Sequence, residues 1–345
     1  MNKVVIDSAI PFTETILDPY ATVIRLEGKK ISRIDVSDAD ALIVRTRTKC
    51  DATLLEGSKV KFIGSATIGY DHIDLDYCKT RGIKVVTAAG CNAMAVVHYM
   101  AAVLNDLGGD LTNKKLGVIG VGNVGSRVAM LGEILGMEVA LNDPPRQDKD
   151  SSFISQDLDK MLSECDIITI HTPYTTTGKY PTYNLAGEHF FDKMKHGSIF
   201  INASRGEVVD EDALIDAIDN FKISHAVIDV WKGEPSINHE LLKRATIATP
   251  HIAGYSLQGK ANGTSAIVRA FAEYFDFKEL KGWYPKAVIP CKDKYLTGDE
   301  ILEEIKNCYK IREDDSRLRH NPELFEELRN NYNYREEYFT LRNTK

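Results

Sequence analysis

No cysteine in this 345-residue chain has a close partner in sequence: Cys50, Cys78, Cys91, Cys165, Cys291 and Cys308 are scattered singly. That spacing argues against zinc sites and disulfide frameworks, and it fits a reduced, cytoplasmic setting. No apolar run approaches the length of a bilayer span, so no membrane partner is expected. The amino terminus offers only Val4-Val5-Ile6 as an apolar run, so no signal peptide is expected either. An excess of positive charge is also missing. The formal net charge of −7 gives no reason to expect nucleic acid as a partner. No internal repeat or low-complexity tract stands out.

What is present is a globular composition, 43% hydrophobic and 27% charged, in a length that suits two or three domains. Short β-branched runs alternate with helical stretches. Val4–Ile6, Thr22–Leu26, Ala41–Arg45, Val60–Gly64 and Ile83–Thr87 read as buried parallel strands, followed by a helix over about Ala93–Asp106. Lys115–Ile119, Glu138–Leu141, Asp166–Ile170, Ser198–Ile201, Ala226–Asp229 and Thr246–Ala248 give six more, the count of a complete dinucleotide-binding sheet. A helix over about Gly259–Asp276 is placed to return the chain to the first domain. Beyond about Pro285 large apolar side chains become sparse. That segment reads as helices, for instance Asp299–Tyr309 and Pro322–Asn331, with an extended end at Tyr338–Leu341, and would be marginal alone. It is expected to lean on another domain or subunit.

Gly120-Val121-Gly122-Asn123-Val124-Gly125 follows one of these strands directly and opens a helix. Such glycines serve a tight turn, close approach of backbone to pyrophosphate, and close helix–sheet packing, while the helix terminus offers free N–H groups to phosphate. Alone the motif is weak. Here a strand precedes it, a helix follows, and an acidic residue, Asp143, ends the next strand 18 positions after Gly125. Asp143 is expected to accept hydrogen bonds from the adenosine ribose and to repel a 2′-phosphate, which favours NAD over NADP. Arg146 either faces solvent, covers the adenine, or pairs such a phosphate. Of His171 and Thr172, which also follow a strand, Thr172 is the expected cofactor contact.

Three further residues follow strands in this half: Arg205 in Ile201-Asn202-Ala203-Ser204-Arg205-Gly206, Glu234 in Asp229-Val230-Trp231-Lys232-Gly233-Glu234-Pro235, and His251 in Pro250-His251-Ile252-Ala253-Gly254-Tyr255. Loops at the carboxyl ends of parallel strands converge on one crevice. Singly, each residue has a plainer reading as a salt-bridge partner, a loop residue or a satisfied polar group. Together they supply what removing a proton and a hydride from a hydroxy acid requires. A guanidinium fork binds carboxylate in a bidentate way and never loses its charge. An imidazole takes the hydroxyl proton, and a carboxylate bonded to it fixes its tautomer. In the first domain Arg45 and Arg47 follow a strand, and alternation would put both on one side. They read either as a solvated basic pair or as the holder of a substrate phosphate.

With these motifs the chain resembles the D-isomer-specific 2-hydroxy-acid dehydrogenases. The family's three signatures correspond to Gly120–Gly125, Asn202–Asp210 and Asp229–Pro235, and the resemblance covers nearly the whole chain. It implies two doubly wound α/β domains with parallel sheets, an NAD-binding Rossmann domain (95–256) inserted in a flavodoxin-like substrate domain (1–94 and 257–285). A shortened carboxy-terminal dimerisation segment (286–345) would follow. It implies catalytic roles for Arg205, Glu234 and His251, and NAD contacts from Asn123, Val124, Asp143, Thr172, Ala203, Arg205, Asp229 and Gly254. Thr46, Thr67 and Tyr255 would touch substrate; Thr46 stands where the pattern carries a serine and keeps the hydroxyl. The expected ligand is a small phosphorylated hydroxy acid held at its phosphate by Arg45 and by Arg329 of a partner subunit in a homodimer, with the two lobes closing over it and NAD. Two rival readings are a different D-2-hydroxy acid, of the D-3-phosphoglycerate or hydroxypyruvate type, and a nucleotide-sensing, corepressor-like binding module. The second is disfavoured by the three intact catalytic positions.

Overall fold

The computed structural model describes residues 2–291 and 294–341. The chain divides into two compact units. One comprises Met1–Asn92 with Ser256–Pro290, and the other Ala93–Tyr255 with Cys291–Lys345.

The first unit is built on five strands: β1 (Asn2–Asp7), β2 (Ala21–Leu26), β3 (Ala41–Val44), β4 (Phe62–Ser65) and β5 (Lys84–Thr87). All pair in parallel in the order β2-β1-β3-β4-β5, the order of the flavodoxin-like domain that the resemblance implied. Strands so short and β-branched are buried on both faces. On one side Val4, Ile6, Ile43 and Phe62 pack with Ile267, Val268 and Phe271; on the other Val5, Leu42, Val44 and Ile63 pack with Leu54, Leu55 and Cys78. The helix Leu257–Tyr274 supplies the first of these partners, so the chain does return to this unit. Ser256 starts that helix by accepting from the Gly259 N–H at 2.9 Å.

The second unit carries β6 (Lys115–Ile119), β7 (Glu138–Asn142), β8 (Ile167–Ile170), β9 (Ser198–Asn202), β10 (Ile223–Ile228) and β11 (Ile247–Ala248). All are parallel, in the order β11-β10-β9-β8-β6-β7. The order reverses between β6 and β8, and the glycine-rich turn leaves β6 there, at the switch point where doubly wound sheets bind ligands. Because every strand runs the same way, the loops after β6 to β11 all leave the same edge of the sheet.

The carboxy-terminal segment is not a third body: residues 291–345 belong to the second unit. Its few large apolar side chains explain why. Ile301, Ile305, Ile311 and Phe339 join the core that includes Val96, Val103 and Leu131, while Leu318 and Phe325 join the one around Phe200 and Trp231. Each such burial contributes roughly 1.5–3 kcal/mol, which the segment could not gain alone. The helix Ile311–His320, which the sequence pattern did not bring out, covers the free edge of β11. Asp315 on it accepts the Ala248 N–H at 2.7 Å, so a carboxylate does for this edge what another strand would do.

Candidate active site

The turn after β6 is shaped by its glycines. Gly120 has φ 84°, and a Cβ there would lie 2.8 Å from the His171 backbone; one on Gly125 would lie 1.9 Å from the Gly120 carbonyl oxygen. Gly122 has open space on that side, and Gly122 and Asn123 are exposed ahead of the helix Gly125–Ile134. Val124 stands at the helix cap position. The turn therefore presents bare backbone and the start of a helix, the arrangement that receives pyrophosphate. Asp143 directly follows β7 and holds this turn, accepting the Val121 N–H at 2.8 Å with one oxygen and the Arg146 N–H at 2.9 Å with the other. Each oxygen keeps a further acceptor direction. Arg146, the residue able to pair a 2′-phosphate, is turned elsewhere: its guanidinium lies 4.3 Å over the Phe153 ring and donates to the Val121 carbonyl at 2.9 Å. Beside Gly120 the buried Thr172 hydroxyl and His171 Nδ1 have no protein partner. Burial pushes His171 down to about 3, so it stays neutral. Bare backbone, an acidic strand end and unspent polar atoms together fit NAD.

Three neighbouring loops form the chemical end. Arg205 follows β9 and donates to the Ser204 carbonyl at 2.7 Å. Asn202 pins that loop by donating to the Arg205 carbonyl and accepting from Ser204. The next residue, Gly206, is pressed so closely on the loop after β10 that a Cβ would sit 2.0 Å from the Trp231 carbonyl carbon. Any side chain there would push the arginine loop off its neighbour. The Trp231 indole then donates to the Thr249 carbonyl at 3.0 Å, tying the loop after β10 to the loop after β11. Glu211, buried, accepts the Lys232 N–H at 2.8 Å and fixes the same loop from below.

On this frame both Glu234 oxygens reach His251 Nδ1, at 2.8 and 3.0 Å. In the neutral ring that bond places the proton on Nδ1 and leaves Nε2 able to accept one. Burial works to raise the Glu234 carboxyl, but the His251 charge, its hydrogen bond and Arg329 outweigh it, so Glu234 lies below the usual range and stays ionised. His251 sits at φ 57°, a left-handed conformation that a non-glycine residue adopts only when its surroundings impose it. Asp229 helps to impose it. Its carboxylate, 1% exposed, accepts from the Thr249 hydroxyl at 2.6 Å and from the Ile252 and Ala253 N–H groups at 2.8 and 2.9 Å. Burial pushes this carboxyl up, with the neighbouring positive charge and donors pulling the other way. Ala203, half-buried, lies one residue after β9, and Gly254 lies in the His251 loop.

Arg329, expected from a partner subunit, lies within this one chain beside the loops of Tyr255 and Glu234, donating to the Tyr255 hydroxyl at 3.2 Å, with Nη1 3.5 Å from Glu234. The segment folds back on its own unit because its apolar residues find their core there. In the first unit β3 ends at Val44, and a turn follows in which the Thr48 N–H bonds the Arg45 carbonyl, so the alternation assumed for Arg45 and Arg47 does not hold. Arg45 donates to the Ala9 carbonyl at 2.9 Å, while Arg47 lines a hollow with Lys29, Arg33 and Lys49. Thr46 is exposed, and the Thr67 hydroxyl lies 2.8 Å from that of Ser65. Sequence reasoning missed Trp231, Thr249, Glu211 and Arg335 as supports of the site. Trp231 lies inside the Asp229–Pro235 motif and Thr249 directly precedes Pro250-His251, so both were within reach; Arg335, a lone arginine in a polar tail, carries no sequence signal.

Residues 96–253 match the family described as D-isomer specific 2-hydroxyacid dehydrogenase, NAD binding domain. The chain is 46% identical over 331 residues to erythronate-4-phosphate dehydrogenase of Bacteroides thetaiotaomicron, covering 93% of each protein. It is 39% identical over 326 residues to that of Proteus mirabilis, covering 92% of this chain and 87% of the other. Among solved structures, D-lactate dehydrogenase from Aquifex aeolicus, complexed with NAD and lactic acid, superposes with a TM-score of 0.62 at 28% identity, over 82% of this chain and 98% of that one. Sequence similarity along the chain and the geometry of the glycine turn agree: this chain is an NAD-dependent oxidoreductase that belongs to the D-isomer-specific 2-hydroxyacid dehydrogenases, among relatives named erythronate-4-phosphate dehydrogenase.

Proposed function

We propose that the chain oxidises 4-phospho-D-erythronate at C2, giving (R)-3-hydroxy-2-oxo-4-phosphooxybutanoate, as a step in pyridoxal 5′-phosphate biosynthesis. The observation that carries this reading is the two-oxygen contact between Glu234 and His251 Nδ1, beside a loop bearing Arg205, in a chain 46% identical to a relative of that name. Bound NAD supplies the acceptor for the hydride leaving C2. His251 Nε2 takes the hydroxyl proton as the C2 carbonyl forms, and Glu234 balances the charge that the imidazole gains. Arg205 holds the substrate carboxylate by its fork and offsets negative charge growing on the C2 oxygen. Gly120, Gly122, Asn123, Val124 and Gly125 receive the pyrophosphate, Asp143 the ribose, and Thr172, Ala203, Asp229 and Gly254 line the nicotinamide end. Arg45, Thr46, Thr67, Tyr255 and Arg329 contact substrate, Arg45 at the phosphate.

The chain works as a homodimer in the cytoplasm on this reading. Six free cysteines suit a reducing compartment, and among the described residues no helix is long and apolar enough to cross a membrane. The deciding experiment is NADH formation from synthetic 4-phospho-D-erythronate, run beside D-3-phosphoglycerate, D-glycerate and D-lactate, with and without an added 2-oxo acid as acceptor. Preference for phosphoerythronate supports the proposal. Equal or better turnover of D-3-phosphoglycerate would replace it, and no turnover on any hydroxy acid would revive the binding-module reading.

A further inference from the structure

The carboxy-terminal tail reaches the histidine loop from the side opposite Asp229. Arg335, 9% exposed, donates through Nη2 to the Ala253 carbonyl at 2.8 Å and through Nη1 to the Ile252 carbonyl at 3.1 Å. Asp229 takes the N–H groups of the same two residues. The Ile252–Ala253 peptide group is thus held between a buried carboxylate at its N–H and a buried guanidinium at its carbonyl. A left-handed histidine needs such over-determination, because its backbone would otherwise relax toward an ordinary conformation. The guanidinium is itself fixed. Its carbon lies 4.3 Å over the Tyr309 ring, and Nη1 donates at 3.0 Å to the Tyr332 hydroxyl, which donates at 2.9 Å to Asp314. A lysine could not replace this fork, since one ammonium on a flexible stem does not span two successive carbonyls in a plane.

We propose that Arg335 is a positioning residue for the reaction: by gripping the Ile252 and Ala253 carbonyls it sets the pitch of the His251 loop, so that the imidazole meets both Glu234 and the substrate hydroxyl. The tail then contributes to turnover in its own subunit, apart from any part in assembly. This rests on the proposed reaction only in that His251 is the base; any hydroxy acid would serve.

The plainer role for Arg335 is to fasten the tail, and the tail has a second fastening that makes a control. His98 Nε2 accepts the Tyr338 N–H at 2.9 Å, and its ring stacks on Phe339 at 4.0 Å. The test compares Arg335→Lys, Tyr332→Phe and His98→Gln in the full chain, each assayed well below its melting temperature. Arg335→Lys is expected to lower kcat by about ten- to hundredfold with little change in KM for NAD, the scale of a misplacement of about 1 Å. Tyr332→Phe should lower it by a smaller factor, and His98→Gln should lower Tm while leaving kcat near wild type. Without substrate, the downfield proton resonance of the His251–Glu234 bond, assigned by its loss in Glu234→Gln, should shift in Arg335→Lys and Tyr332→Phe but not in His98→Gln. Should Arg335→Lys fail to fold, Tyr332→Phe decides alone. An unmoved resonance, or kcat losses that merely track Tm across the three variants, overturns the proposal. A wild-type chain inactive on phosphoerythronate would remove the substrate assignment and leave the resonance comparison standing.

Discussion

Replacing Glu234 by glutamine isolates the charge from the shape of the pair. The amide is nearly isosteric, and its oxygen can still accept from His251 Nδ1 and from the Trp231 N–H, which Glu234 binds at 3.0 Å. What disappears is the negative charge 2.8 Å from a ring that becomes cationic when it takes the proton. A hydrogen bond to a charged group contributes about 1.5–3 kcal/mol, and a neutral one about 0.5–1.5 kcal/mol. The difference of about 1–2 kcal/mol corresponds to a fall in kcat of about 5- to 30-fold. Arg329 pushes toward the upper end. With its oxygen kept on the histidine side, the glutamine turns its NH₂ toward Nη1 of Arg329, where Glu234 now offers an oxygen at 3.5 Å. The assay is the initial rate of NADH formation at saturating substrate, with KM for NAD as the internal control. The pH dependence follows from the depressed Glu234 carboxyl. The wild-type advantage should hold at every pH above the ordinary glutamate value of 4.5 and shrink only below it, as the carboxylate takes its proton. A Glu234→Gln enzyme with wild-type kcat, or one altered only in KM for NAD, would show that the charge is not used in the transition state.

Other expectations are more direct. Gly125→Ala puts a methyl group 1.9 Å from the Gly120 oxygen, so NADH binding followed by nicotinamide fluorescence should weaken at least about tenfold while circular dichroism still reports a folded chain; unchanged binding would contradict the pyrophosphate assignment. Arg205→Ala should lower kcat/KM about 10²- to 10³-fold, the usual worth of a charge aimed at a developing oxyanion, and normal kinetics would refute its role. Arg45→Ala should raise KM for phosphoerythronate and leave D-lactate rates alone; equal KM values for wild type and variant would end the phosphate proposal. His98, pushed down to about 4 from 6.5 by burial, is neutral when folded and protonates in the unfolded chain. Its contribution is therefore full above pH 6.5 and is lost as pH falls toward 4, about 3 kcal/mol in all. Urea midpoints should fall less steeply from pH 7 to 5 in His98→Gln than in wild type, and parallel slopes would be the contrary result.

Strand existence, the glycine turn and the three candidate residues Arg205, Glu234 and His251 could be picked out because each rests on local rules. Buried parallel strands must be short and β-branched, a dinucleotide turn needs glycine where Gly120 and Gly125 stand, and proton and hydride removal calls for a fork, a base and its carboxylate. Even the return of the chain showed as a helical stretch after the last strand, read over about Gly259–Asp276 and found at Leu257–Tyr274. Other features were invisible because they depend on which residues distant in sequence become neighbours. The helix Ile311–His320 is too polar to announce itself, with Ile311 and Leu318 its buried apolar residues. Nothing in a polar tail marks Arg335 as the partner of carbonyls 83 and 82 positions away, or sets Arg329 beside Glu234 of the same chain.

Periodicity and motif spacing by themselves determined parallel strands alternating with helices, a nucleotide turn and three candidate residues for dehydrogenase chemistry, since those follow from backbone geometry and side-chain chemistry acting over a few residues. Only the tertiary structure decided that the tail docks on the nucleotide-binding unit, that Trp231 ties the loops after β10 and β11 together, and that the backbone following His251 is clamped between Asp229 and Arg335. Those outcomes turn on where sparse apolar side chains find a core and where buried charges find partners, and no local pattern encodes either.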